Sequence, residues 1–194
     1  MDSRESLLAA AAEEFARNGL KGTRIREIVQ RSGVNERMIY HHFGSKEGLF
    51  RAVIQREIDG MGDAWQDMLT KAGQMEPYEG MRLAFEAMFD VVHGRPLLVS
   101  LAIQEAVGGW GVRPPLPADR LPGQLRDLHE RGVKAGVFRD GVAFEVLYAT
   151  AAVTLMAVPG MAGRIPAVLA GRDMNQLRDQ LVGLLLDGMT GGDR

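Results

Sequence analysis

The sequence predicts an all-α protein in two parts, and three observations carry that prediction. Apolar residues recur at three- and four-residue spacing along most of the chain, no segment shows convincing period-two alternation, and glycines punctuate the apolar stripes. The expected division is a helical domain over residues 1–56 and a second helical domain over residues 57–194.

The first helix is expected from Leu7, Leu8, Ala11, Ala12 and Phe15, with Gly19 after Asn18 as its stop. Thr23 is read as the N-cap of a short second helix that turns Ile25, Ile28 and Val29 inward, and Gly33 supplies the left-handed residue that ends it. Asn35 can cap a third helix, with Val34 stapled to Ile39. At about 100° per residue, Ile39 and Phe43 share one side of that helix, while Arg37 and His41 point the other way, flanked by Tyr40 and Met38. Ser45 can cap a fourth helix whose inward stripe is Phe50, Val53, Ile54 and Ile58, weakened after Gly60 and Gly62. Further helices are expected near 63–72, 77–93, 96–108, 119–135, 142–158 and 173–189, with a Gly/Pro-rich loop over 108–117.

Composition excludes several classes. The chain has 194 residues, 46% of them hydrophobic, enough to bury a core. It has no cysteine, hence no disulfide, thiol nucleophile or thiolate zinc site, which fits a reducing cytoplasm. The N-terminus lacks a secretory layout, and the apolar stretch Val142 to Val158 is shorter than the ~20 residues a bilayer requires. No membrane span is expected, and a cytoplasmic location is. No nucleophile with its base, metal cluster or phosphate loop stands at persuasive spacing, and Gly108-Gly109-Trp110-Gly111 lacks the Lys-Ser/Thr end of a phosphate loop. The chain is therefore read as no enzyme, with no cofactor and no metal. Adjacent His41 and His42 diverge around the helix and do not form a ligand pair.

The net charge of −2 hides an asymmetry. Residues 1–56 carry ten Lys/Arg against seven Asp/Glu, whereas the remainder is acidic, a pattern suited to one nucleic-acid-binding end. Short helix, tight turn, short helix is the layout of a helix-turn-helix, whose second helix enters the major groove of double-stranded DNA. Arg37 can donate two hydrogen bonds to guanine; Tyr40, His41 and His42 can reach phosphates or bases, and Met38 a thymine methyl. Thr23, the N-terminal amides of the second helix, and Lys46 are spaced to hold flanking phosphates, with Arg24 adding positive charge. Two rivals are a sequence-neutral DNA binder and a helical interaction module that has lost DNA binding.

Residues 19–50, GLKGTRIREIVQRSGVNERMIYHHFGSKEGLF, together with Phe15, resemble the DNA-binding domain of TetR-type transcriptional regulators. The likeness rests on Phe15, Gly19, Thr23, Ile28, Gly33-Val34, the Tyr40-His41-His42-Phe43 block and Ser45-Lys46-Glu47. It implies a three-helix DNA-binding domain, a C-terminal dimerisation and effector domain, a homodimer, and release of an operator, repression included, when a small-molecule pocket fills. Glu36 and Gly44 depart from the family's habit of a small or basic residue and a lysine there, which weakens phosphate attraction. The C-terminal likeness rests on Ala135-Gly136-Val137-Phe138-Arg139 leading into the apolar helix; Phe138-Arg139 is read as packing a turn, with no chemistry assigned.

The 142–158 helix is apolar on nearly every side, Glu145 being its only charge, so more than one neighbour must cover it. Leu147, Ala151 and Leu155, with Leu177, Leu181, Leu184 and Leu185 of the last helix, are the expected dimer interface in a two-fold four-helix bundle. Such a dimer favours an inverted-repeat operator with half-sites about 34 Å apart. Candidate effector-binding residues are Trp65, Met68, Phe85 and Met88, and further along Phe89, His93, Trp110 and Tyr148. They suggest a largely apolar ligand, though Met and aromatic residues at helical spacing also read as core, and His93 beside Gly94 as a helix C-terminal cation.

Overall fold

The computed structural model describes residues 2–109, 111–114, 117–160, 165–169 and 171–190, without the side chains of residues 63 and 64. Ten α-helices and two short 3-10 turns, with no strand, make up the described residues. The helices are α1 (Ser3–Gly22), α2 (Ile25–Ser32), α3 (Arg37–Phe43), α4 (Lys46–Asp59), α5 (Gly62–Gly73), α6 (Pro77–His93), α7 (Pro96–Val107), α8 (Gly123–Lys134), α9 (Phe144–Gly160) and α10 (Met174–Thr190). The expected α6 limits match the observed ones: Pro77 sits at the helix start, where its missing N–H costs nothing, and Gly94 caps the other end. The span expected as one helix over 119–135 is instead a 3-10 turn, Ala118–Arg120, followed by α8, because Leu121 and Pro122 take extended backbone.

The chain forms two compact units, and these replace the linear division after Arg56. Unit 1 comprises Met1–Gly62 and Arg95–Pro115, and unit 2 comprises Asp63–Gly94 and Leu116–Arg194. Helix α7 thus belongs with the N-terminal helices. It packs on α1 and α4, and its Leu101 is fully buried in the cluster formed by Leu7, Leu8, Phe15, Ile28, Ile39 and Phe50. Phe15 and Phe50 meet edge to face with centroids 5.0 Å apart.

Two glycines shape unit 1. Gly19 breaks the helical course within α1 at φ 65°, and an added Cβ would stand 2.6 Å from Gln104 Oε1 of α7, so both backbone and space demand glycine there. Gly33 ends α2 in the left-handed region, as expected, its N–H donating to Val29 O at 3.0 Å. The segment after α7 is folded back by Arg113, whose Nε donates to the buried Glu105 carboxylate at 2.8 Å. Arg95 donates from its guanidinium to the carbonyls of Glu57 and Gly60, satisfying acceptors at the end of α4.

In unit 2, α6 lies against α8, α9 and α10. Phe85, Phe89, Leu125, Leu128, Phe144 and Leu186 are among the residues of its core. This places the expected interface residues differently. Leu147, Ala151, Leu155, Leu177 and Leu181 are buried within the protomer, whereas Val146 and Val153 of α9 and Leu184 of α10 are 58%, 59% and 70% exposed; Leu185 is half-buried. A helix apolar all round gives no sequence signal for which side its own protomer takes.

Candidate nucleic-acid interface

The short helix α3 is set by its two ends. Asn35 Oδ1 accepts from the Arg37 N–H at 2.9 Å, so the capping role expected for Asn35 is filled although the helix proper begins at Arg37. Ile39 is fully buried, and Val34 and Met38 pack against the same cluster. That anchor turns Arg37, Tyr40 and His41 to solvent, Tyr40 being 51% exposed. Ser45 caps α4 by accepting from the Gly48 N–H at 3.0 Å, as the sequence suggested. Beside it, Glu47 has its carboxyl held below the ordinary range, chiefly by its own backbone N–H at the start of α4.

The expected DNA-facing residues separate into two groups. Arg24, Arg37, Tyr40 and His41 are exposed, and among the described residues neither arginine has an ion-pair partner. Met38 is half-buried against the core. His42 is half-buried too, with Nε2 3.2 Å from Ser3 Oγ and its ring edge-on to Phe43. It therefore braces α3 on the start of α1.

Thr23 requires a correction. It does not cap α2; Arg24 occupies that position, with its N–H donating to Glu27 at 3.4 Å. Thr23 closes α1, is 2% exposed, and donates its hydroxyl to Gly19 O at 2.7 Å and Glu14 O at 3.0 Å. The hydroxyl is spent inside the corner, away from any phosphate. Lys46 Nζ donates to Thr23 O at 3.0 Å, tying the start of α4 to the same corner while leaving two ammonium protons unassigned. Sequence reasoning missed Ser3 and Arg4. The Arg4 guanidinium stands 5.6 Å over the Phe43 ring, and no local pattern in the sequence links residues so far apart.

Arg31 is the cation withdrawn from this surface. It pairs with Glu13 at 2.8 Å and with Glu14 at 2.8 Å, bolting α2 to α1.

Of the effector candidates in unit 2, Phe85, Met88 and Phe89 are buried core, while Trp65, Met68 and Tyr148 are half-buried against it. Burial pushes the Tyr148 phenol pKa up. His93 is exposed and stacked on Phe89 with centroids 5.9 Å apart, and Trp110 lies outside the described residues. No group of three or more His, Cys, Asp or Glu among the described residues could hold a metal ion, and no described helix is long and apolar enough to cross a membrane.

Residues 7–53 match the tetR family of bacterial regulatory proteins, and residues 77–181 match the tetracyclin repressor-like C-terminal domain. The HTH-type transcriptional repressor NicS of Pseudomonas putida is 29% identical over 151 residues, covering 75% of this chain and 70% of that protein. The HTH-type transcriptional repressor KstR2 of Mycolicibacterium smegmatis is 34% identical over 103 residues, 53% of this chain and 49% of its own length. The fold is that of the putative transcriptional regulator SCO4942 from Streptomyces coelicolor, with a TM-score of 0.72 at 22% identity, covering 97% of this chain and 98% of that one.

Proposed function

This chain belongs to the tetR family of bacterial regulatory proteins, regulators of transcription and not enzymes, and we propose on that premise that it is a sequence-specific repressor acting in the cytoplasm as a two-fold dimer. Small, largely apolar ligand binding in the C-terminal unit releases it from an inverted-repeat operator.

The observation that carries the DNA reading is the face of α3. Arg37, Tyr40 and His41 are exposed side by side on a helix whose opposite face is anchored by a fully buried Ile39. Arg37 has no ion-pair partner to lose among the described residues, so reading a guanine costs no broken ion pair. Lys46 and Arg24 supply flanking positive charge that positions without specifying. Repression follows the relatives, NicS and KstR2 both being named repressors.

For the dimer, Val146 and Val153 of α9 and Leu184 of α10 are the large apolar side chains left in water, and joining two copies through them removes that exposure. The aromatic cluster around Phe85 and Phe89, with Tyr148 at its margin, supports an apolar effector.

The test is selection of sites from random duplex DNA by the purified protein at fixed, near-physiological salt. Enrichment of an inverted repeat is expected. A folded protein that enriches nothing, or binds all sequences alike with a steep salt dependence, removes the reading.

A further inference from the structure

Outside the aromatic cluster, unit 2 has a groove with a cavity volume of about 350 Å³ between the starts and ends of α9 and α10. Val142, Val146 and Leu147 form one apolar wall, and Leu184, Leu185 and Met189 the other. Three polar residues, His129, Arg139 and Thr150, also line it.

His129 is the unusual one. It is 7% exposed, its ring stacks on Phe138 with centroids 6.2 Å apart and tilts against Phe144 at 6.1 Å, and among the described residues its nitrogens make no hydrogen bond. A buried imidazole without a protein partner, on the wall of a groove, is a donor waiting for an acceptor. Arg139 starts from a fixed point, because its backbone N–H donates to Met189 O at 2.8 Å. Its guanidinium has no ion-pair partner among the described residues, and the carboxylate of Glu145 is held elsewhere by Arg126 at 2.6 Å. Thr150 donates its hydroxyl to Val146 O at 2.8 Å and keeps its lone pairs. A cation and a neutral N–H donor facing apolar walls match an anion with a hydrocarbon body, and the volume falls in the range of small-molecule sites, roughly 300–1,000 Å³.

We propose that this groove binds a small carboxylic acid with an apolar chain, its carboxylate on Arg139 and His129 and its chain against Val142, Val146 and Leu184. The site adds a ligand class to the regulator and does not depend on the DNA reading, since its test contains no DNA.

The experiment titrates sodium octanoate into the full-length protein by calorimetry, with octylammonium at equal concentration as the cationic control. Saturable binding of one octanoate per chain is expected, with octylammonium silent. Arg139→Gln weakens octanoate roughly tenfold, the loss of one hydrogen bond to a charged group, and Arg139→Lys recovers part of it. Val146→Trp, at a position 58% exposed and so tolerant of bulk, fills the groove and abolishes binding. Failure of octanoate to bind, equal binding of both amphiphiles, or octanoate affinity unchanged by Arg139→Gln each overturns the proposal. A groove closed by the partner copy gives the first of these outcomes.

Discussion

Replacing Thr23 by valine removes one hydroxyl while keeping the shape of the side chain, and separates two roles for that hydroxyl. In the folded chain Oγ1 donates to two carbonyls, Gly19 O at 2.7 Å and Glu14 O at 3.0 Å, with 2% of the residue exposed. One proton is shared between them, and Gly19 O keeps the Thr23 backbone N–H at 3.1 Å after the change. The loss is therefore one buried neutral hydrogen bond, about 1 kcal/mol, without a stranded acceptor at Gly19. In a chain of 194 residues that lowers Tm by roughly 2–4 °C. Scanning calorimetry reads the first effect, and operator affinity across a salt series reads the second. Thr23→Val should keep the wild-type salt slope, whereas Lys46→Ala should reduce it by about one. An unchanged Tm with a slope reduced by about one in Thr23→Val would mean that the hydroxyl holds a phosphate, and would refute the corner-lock assignment.

Three further outcomes follow from unit 2. Leu184→Asp should give a folded monomer in sedimentation, while Leu181→Asp, 7% exposed, should unfold the chain; a dimer retained by a folded Leu184→Asp removes the proposed interface. Gly132→Ala would set a methyl 2.0 Å from Phe138 Cδ2, and that clash, about 1–3 kcal/mol, exceeds the helix-propensity gain of about 1 kcal/mol. A urea midpoint at or above wild type would contradict it. Burial pushes the His129 pKa below its ordinary value, so the unfolded chain takes up the proton first as pH falls. The contribution of His129 is thus fully present above about pH 6.5 and is lost as the pH drops from there through the folded pKa. Urea midpoints of wild type and His129→Phe from about pH 7.5 to about pH 5.5 should diverge in slope, and parallel lines would exclude this linkage.

Local signals were legible in the sequence. Apolar spacing, Gly33, Ser45, Pro77 and Gly94 each act within a turn or two of chain, and the helices they bound stand where the periodicity put them. Partners distant in sequence were not. That Thr23 faces inward depends on carbonyls of α1, that His42 is braced depends on Ser3, and that α7 joins unit 1 depends on Leu101 finding a place beside Phe15. The leucines of α10 repeat at a spacing compatible with either side of the helix, and only the cover provided by α6 and α9 decides that Leu181 is inside and Leu184 outside. Arg139 was read as part of a turn, which is correct for its backbone and silent about its guanidinium.

The return of α7 to unit 1 bears on how such regulators can be recombined. The chain changes units after Gly62, again after Gly94 and a third time after Pro115, so no single cut separates the two halves. A chimera joined at one point near residue 60 would inherit the α7 of the incoming body against the α1 and α4 of the original head. Its Leu101 would have to fit a foreign cavity, and its Gln104 a foreign glycine. Grafts that carry residues 95–115 together with 1–62 keep this joint intact, and sensor swapping in this chain is a three-junction operation.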